Sequence, residues 1–561
     1  MNLQLERLFS DDAARADRQR LAARWRELGL HGDRTIDAVA AWSAAHRPAV
    51  RLVFSREDGV AELTMPRLHE QACRLAATLR KLGVGPGDRV ATQLPNSPEI
   101  AIAYLATLIR GAVVVAMPDT YRQSESSQIL LRTRPKVYIA PSSWRGVEAA
   151  ERLAFVADLA PRPAVILIGD AAKSGAAGGV GVDYLSFAEA IGSAEAGGPA
   201  PEAGSVTGEH GADDPAVILF TSGTTSAPKG VLHSHNSLLG YFATRDFPPA
   251  GSGAMLRPWA AGHISGVLQV LESVVNGFDG VLMDRWDPQR AVELIDRFAV
   301  TAMSGVPTMF AQVTELYGKA GRRSPIAVGH TGGAGVPPSI ITRADDLGCR
   351  LVRCYGSTEH PVGTFGDLDG TPQRRAAADG PPCRGTEVRV VDERDLPVAD
   401  GVDGEVLLVG PQQCIGYLDP EANRESFAPG GWFRTGDIGH IDPDGQLVIT
   451  DRKKDIIIRG GENISSVDVE DVLLRHPAIA EAAAVARAHP LYGEQVCACV
   501  LLREGCSFAL ADAQELFRSA GVAMFKCPEH VEVFDEFPRT PSGKVQKAAL
   551  RQLLAARAEP A

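Results

Sequence analysis

Cysteine is scarce and unpatterned here. The chain of 561 residues has nine, an odd number with no CxxC among them. That excludes a disulfide framework and a structural zinc site, and it fits a reducing compartment. Cys497 and Cys499, two apart in QVCACVLL, would share one face of a strand as small buried hydrophobes. Positive charge is also short. Lys and Arg number 57 against 69 Asp and Glu, a net charge of -12. Sequence-independent binding of nucleic acid or of an anionic membrane needs a cationic face, so neither partner is expected, although a small basic pocket for a phosphate is compatible. Long apolar runs are missing. The strongest, IAIAYLATLIRGAVVVAM over residues 100–117, is split by Arg110 and Gly111 into pieces too short to span a bilayer. MNLQLERLFSDDAARADRQR has no apolar core of a secretory signal, and the expectation is a cytoplasmic protein. HEQAC and the HSH of 233–235 lack the further ligands that zinc needs, and neither GxSxG nor GxxxxGK[ST] occurs.

What is present is an ordinary globular composition, 45% hydrophobic and 22% charged, long enough at about 150 residues per domain for three or four units. Residues 64–83 read as a helix. Thr64 is its cap, Leu68, Leu75, Leu79 and Leu82 form its apolar stripe, and Gly83 is its stop. RVATQL is a strand, Ser97 and Pro98 open a second helix running to Arg110, and AVVVAM is again a strand. Alternation of this kind predicts parallel sheet built from βαβ units. The Gly, Ala, Pro and Ser of residues 170–213 read as surface loop or linker around one short apolar stretch.

The strand AVILF runs into TSGTTSAPKG, residues 221–230. Gly admits a phosphate close to the backbone, Ser and Thr hydroxyls and N–H groups donate to it, and Lys229 adds a cation. In CYGSTEH, Tyr355 offers a face to a purine, Thr358 a donor to a phosphate oxygen, and Glu359 a hard oxygen ligand for Mg²⁺. Lys544 in TPSGKVQK places an ammonium on a Pro- and Gly-bearing loop, where it could neutralise charge on an in-line transition state. The chain has 10 Lys against 47 Arg, so the lysines at 229, 454 and 544 suggest sites that need a compact, mobile ammonium.

TSGTTSAPKG resembles the phosphate-binding motif of the adenylate-forming superfamily, which comprises acyl-CoA synthetases, adenylation domains of peptide synthetases and luciferases. Further motifs resemble the family's in the family's order: LGVGPGDRV with LPNSPE, CYGSTEH, GWFRTGDIGHID, DRKKDIIIRGGENIS and PRTPSGKVQK. The resemblance implies an α/β fold: a large N-terminal body of layered subdomains, residues 1–453, and a small mobile α+β domain, residues 454–561, hinged near Lys454. It implies ATP, Mg²⁺ and coenzyme A, and two steps, acyl-adenylate formation and then transfer to the thiol.

By the same resemblance Thr221, Ser222, Gly223, Thr224, Thr225, Lys229, Tyr355, Gly356 and Thr358 contact the nucleotide, with Asp437 and Arg452 on the ribose. Glu359 binds the metal and Lys544 catalyses adenylation. TGGAGVPPSI, with Gly333, Ala334 and Gly335, lies between adenine and the acyl group. RPWAAGHISGV supplies His263 and Gly266 to the acyl pocket, which Tyr355 and Gly356 complete. Gly460, Gly461 and Glu462 shape the pantetheine tunnel. Small residues at 260, 261, 262, 266, 333 and 335 point to room for a bulky cyclic, aryl or medium-chain acid. An amino acid is disfavoured, since Ile264–Leu268 lacks the Asp expected for an α-amine. Three alternatives are transfer to a carrier-protein phosphopantetheine, luciferase-like oxygenation, and a non-catalytic nucleotide-binding regulator; the last would be expected to lack Lys544 or Glu359.

Overall fold

The computed structural model describes residues 12–57, 59–169, 182–192, 207–221, 228–245, 253–333, 335–459, 462–489, 492–520, 522, 524–540 and 543–558. Ser222, Gly223, Thr224, Thr225, Ala334, Gly460 and Gly461 lie outside them.

Two eight-stranded sheets dominate the N-terminal body. In one, the strands Asp279–Met283, Ala254–Leu256, Val300–Gly305, Val328–Gly332 and Arg350–Tyr355 run parallel. In the other, Val113–Ala116, Arg89–Thr92, Val137–Pro141 and Ala164–Ile168 do so. The helices Met65–Lys81, Pro98–Ile109 and Ile264–Asn276 supply residues to one core shared with both sheets, among them Leu75, Leu105 and Leu271. This sheet–helix–sheet layering explains the apolar run of residues 100–117. All ten residues Ile100–Ile109 are buried, as expected of a helix that is hydrophobic all round. Among the described residues no helix is long and apolar enough to cross a membrane.

The expected helix at 64–83 is Met65–Lys81, capped by the Thr64 hydroxyl, which accepts from Arg67 N–H at 3.4 Å. Cys497 and Cys499 are fully buried on the strand Gly493–Leu502. The described part of 170–213 is more ordered than a linker reading implies. Tyr184–Ser186 adds a parallel edge strand, and Ser186 and Glu189 cap a short helix reciprocally.

A third sheet follows, ending in the antiparallel pair Trp432–Ile441 and Leu447–Arg452. The fourth begins at Ile457–Arg459, and its centre is the strand Gly493–Leu502 between Ile479–His489 and His530–Phe534. Lys454 lies in the turn between these two sheets, where the Asp455 N–H donates to Arg452 O at 2.8 Å. The fourth sheet's own core includes Val469, Val496 and Phe517.

Candidate active site

A cavity of about 1620 Å³ opens where the parallel strands Val300–Gly305, Val328–Gly332 and Arg350–Tyr355 end. Register sets its floor: Ser304 lies beside His330, and Gly332 beside Cys354. Crevices at the carboxyl ends of parallel strands are the usual binding places of α/β sheets, because loops diverge there. The C-terminal domain forms the opposite wall and contributes Lys544.

Asp437 is positioned by strand pairing. It sits directly across from Arg452 in the antiparallel ladder, and Arg452 Nε is 2.8 Å from Asp437 Oδ1. Tyr355 ends its own strand so that its hydroxyl donates to Asp437 Oδ2 at 2.5 Å. Burial, with the adjacent Asp437 carboxylate, drives the Tyr355 phenol well above its ordinary pKa, so it stays protonated and a donor.

Thr358 and Glu359 follow on the loop. The Thr358 carbonyl accepts from Nε2 of the buried His233 at 2.8 Å, while Nδ1 of that ring meets Ser237 Oγ at 3.0 Å. His233 is therefore a strut beneath the loop; burial lowers its pKa to about 4. Glu359 is buried, and its Oε1 accepts the Tyr417 hydroxyl at 2.6 Å. Tyr417 belongs to Gly416–Tyr417, which pairs with the strand Lys229–Ser234. Lys229 Nζ lies 5.4 Å over the Tyr417 ring and 3.7 Å from Glu425 Oε2. Thr221 and Lys229 are cross-strand partners in an antiparallel pair.

Lys544 is presented by a tight turn. Thr540 N–H donates to Lys544 O at 2.7 Å, and Lys544 N–H to Thr540 Oγ1 at 3.1 Å. The side chain reaches the glycine loop of the body: a Cβ on Gly333 would lie 3.3 Å from Lys544 Cε and 3.7 Å from Nζ. Desolvation, reinforced by Arg452, lowers the Lys544 pKa to about 8; Asp437 and Glu359 oppose the shift.

On the side of the cavity expected to take the acyl group, His263 caps the helix Ile264–Asn276. Its Nδ1 accepts from Ser265 N–H at 3.2 Å, and the ring stacks on Trp259 at 6.3 Å. Burial, then the Lys544 charge, lowers its pKa to about 3, so the imidazole is neutral. The small residues nearby correct the expectation of room. Gly266 does not line the cavity; a Cβ there would sit 1.9 Å from Ala260 O. One on Gly262 would meet Pro118 N at 2.2 Å. Both glycines serve close backbone packing. Gly356 is similarly pressed against Pro361 O, although it does line the cavity. Only Gly335, of those lining the acyl side, has open space around a Cβ, with nothing within 4 Å. Glu462 is exposed at the mouth of a hairpin, paired in register with Arg459, and does not line the cavity.

Residues 39–418 match the AMP-binding enzyme family, and residues 468–544 the AMP-binding enzyme C-terminal domain. The chain belongs to the AMP-binding enzyme family. It is 32% identical over 546 residues to the medium-chain fatty-acid–CoA ligase of Escherichia coli (strain K12), covering 95% of this chain and 93% of that protein. It is 31% identical to a salicylyl-CoA synthase / salicylate adenylyltransferase of a Streptomyces species, over 96% of this chain and 97% of the other. ATP-bound MatB from Rhodopseudomonas palustris shares the fold, with a TM-score of 0.78 and 26% identity over 94% of this chain and all of that one. This AMP-binding enzyme is an ATP-dependent, AMP-forming acid–CoA ligase whose substrates include a carboxylic acid, ATP and coenzyme A.

Within this AMP-binding enzyme, sequence reasoning missed Tyr417 and His233. Each acts through a partner remote in the chain, Glu359 and Thr358, and a lone Tyr or His carries no spacing signal for that.

Proposed function

We propose that the cavity activates a carboxylic acid with an apolar body and hands it to coenzyme A, with Lys544 serving the first step only. The carboxylate oxygen attacks the α-phosphorus of ATP, the bond from that phosphorus to the bridging oxygen breaks, and pyrophosphate leaves. The coenzyme A sulfur then attacks the acyl carbon, the carbon–oxygen bond to AMP breaks, and the thiol proton passes to solvent. One observation carries this reading: Lys544 lines the same cavity as Glu359, Asp437 and Arg452 and reaches the Gly333 loop from the opposite side. Alignment and charge stabilisation are the protein's share of the chemistry.

Asp437 and Arg452 hold the ribose, with Tyr355 fixing the carboxylate and facing the purine. Thr221, Lys229 and Thr358 bind phosphate oxygens. Glu359 fits a Mg²⁺ ion: it is a buried oxygen donor in the cavity wall, oriented by Tyr417. The ion would neutralise phosphate charge. Gly335 and the neutral His263 border the acyl group. The mobile domain begins at Lys454, and its rotation would bring the hairpin bearing Glu462 to the thiol. Nine unpaired thiols support a cytoplasmic location. A screen of pyrophosphate release over an acid panel, with and without coenzyme A, tests the reading. Release with no acid under either condition would overturn it.

A further inference from the structure

The acyl side of the cavity is not wholly apolar. Arg257 lines it while being only 3% exposed, and it forms an ion pair with the equally buried Glu272. Its Nε points at Met255 Sδ, 3.0 Å away, and Nη2 is 3.5 Å from the Tyr241 hydroxyl. Arg245 stacks on the Tyr241 ring at 4.1 Å and on Phe365 at 5.1 Å. His330, two residues before Gly332, lies within the field of both guanidinium groups and is kept neutral by burial and by them. Trp259 Nε1 donates to Ser304 Oγ at 2.9 Å, which leaves the Ser304 hydroxyl hydrogen to donate. Tyr241, Ser304 and His330 all line the cavity.

Two arginines and one glutamate make this group net positive by one. Sealing such ions inside an apolar layer is costly, and hydrophobic residues would usually fill the volume as well or better. Arg257 brings this cluster to the cavity wall, and a buried charge in such a place marks a candidate ligand contact. This one is rich in donors: a guanidinium, two hydroxyls and an imidazole N–H. It lies past Trp259, whose ring links it to His263, and His263 in turn feels Lys544. The activated carboxyl therefore belongs at the Lys544 end and the donors at the other.

We infer that the acid carries an oxygen acceptor, a ketone or a second carboxylate, at the end remote from the activated carboxyl, read by Arg257 together with Tyr241, Ser304 and His330. The inference rests on the acid-activating role proposed above and narrows its substrate class.

The test is kcat/KM for acid-dependent pyrophosphate release, with coenzyme A present, on matched acids. Octanoate is set against 7-oxooctanoate and octanedioate, and cyclohexanecarboxylate against 4-oxocyclohexanecarboxylate. The wild type should favour an oxygenated acid over its parent by about tenfold or more, because an unmet buried donor penalises the parent. The oxo and dioic arms tell a ketone from a carboxylate. In the double variant Arg257→Met/Glu272→Met, which removes the ion pair as a whole and leaves the net charge of the group unchanged, the preference should fall to about twofold or invert. Tyr241→Phe and Ser304→Ala, each removing one hydroxyl, should each lower it by about threefold and cover a double variant that does not fold. A wild type that favours the parents overturns this inference alone. An unchanged preference in Tyr241→Phe, Ser304→Ala and the double variant, where it folds, also overturns it. Absence of turnover with every acid overturns the acid-activating role and this inference with it.

Discussion

Lys544 carries the sharpest residue-scale expectations. Lys544→Ala should remove acyl-adenylate formation yet leave coenzyme A attack on supplied acyl-adenylate nearly intact, as separate assays of pyrophosphate release and thioester formation would read. Because burial depresses its pKa to about 8, the ammonium is charged below that pH and lost above it. In the free enzyme, kcat/KM for adenylation should therefore fall about tenfold per unit above pH 8, while thioester formation from supplied adenylate lacks that limb. His263, neutral down to about pH 3, should contribute no limb near pH 6.5. The glycines need separating. Gly333 has φ +79° and faces Lys544, so any side chain there strains the loop and meets that lysine. Gly335 has neither restriction. Gly335→Leu should lower kcat/KM for a bulky cyclic acid by about 10- to 100-fold and for butyrate much less, with the KM for ATP little changed. A uniform fall across acids would place Gly335 outside the acyl wall.

At the scale of elements, the site is assembled by register and by packing. A one-residue slip between Trp432–Ile441 and Leu447–Arg452 would turn Asp437 away from Arg452, so the proposed ribose contact depends on that pairing. The buried helix Pro98–Ile109 stands between the sheets that carry the two halves of the site. Leu108→Ala should lower stability by about 2–5 kcal/mol, the range for a fully buried leucine, with a reduced thermal midpoint and little change in the KM values. Helix spans, the βαβ alternation and the Thr64 cap were legible from periodicity and capping residues. The edge strand Tyr184–Ser186 was not, because three residues in a Gly- and Ala-rich stretch carry no periodic signal.

For the whole molecule, the decisive feature is how the C-terminal domain docks. Asp451, at the end of the third sheet, accepts from Ser466 N–H at 2.5 Å and Ser466 Oγ at 2.9 Å, and Lys547 Nζ donates to that same hydroxyl at 2.6 Å. Ser465 Oγ donates to Thr450 O at 2.8 Å. These contacts hold the domain with Lys544 in the cleft, the arrangement that the proposed adenylation step requires. The proposed rotation about Lys454 requires a change of φ and ψ there, and proline fixes φ near -65°. Lys454→Pro should slow thioester formation far more than adenylation in single-turnover assays. Equal slowing of both would place the pivot elsewhere.

The sequence by itself determined the family and the reaction class, and it named polar side chains that the fold brings to one cavity, among them Tyr355, Thr358, Glu359, Asp437, Arg452 and Lys544, because motif spacing makes such residues visible in a string of letters. It could not decide what the small residues around the acyl group were for. A glycine that makes room and one that lets backbones touch look alike in a string of letters, and only the packing of Gly266 on Ala260 and the open space at Gly335 told them apart. The charged lining of the acyl side was likewise a tertiary decision. Tyr241, Arg257, Ser304 and His330 come from one helix, one loop and two strands, and the fold brings them to one wall, with Glu272 paired to Arg257 behind it.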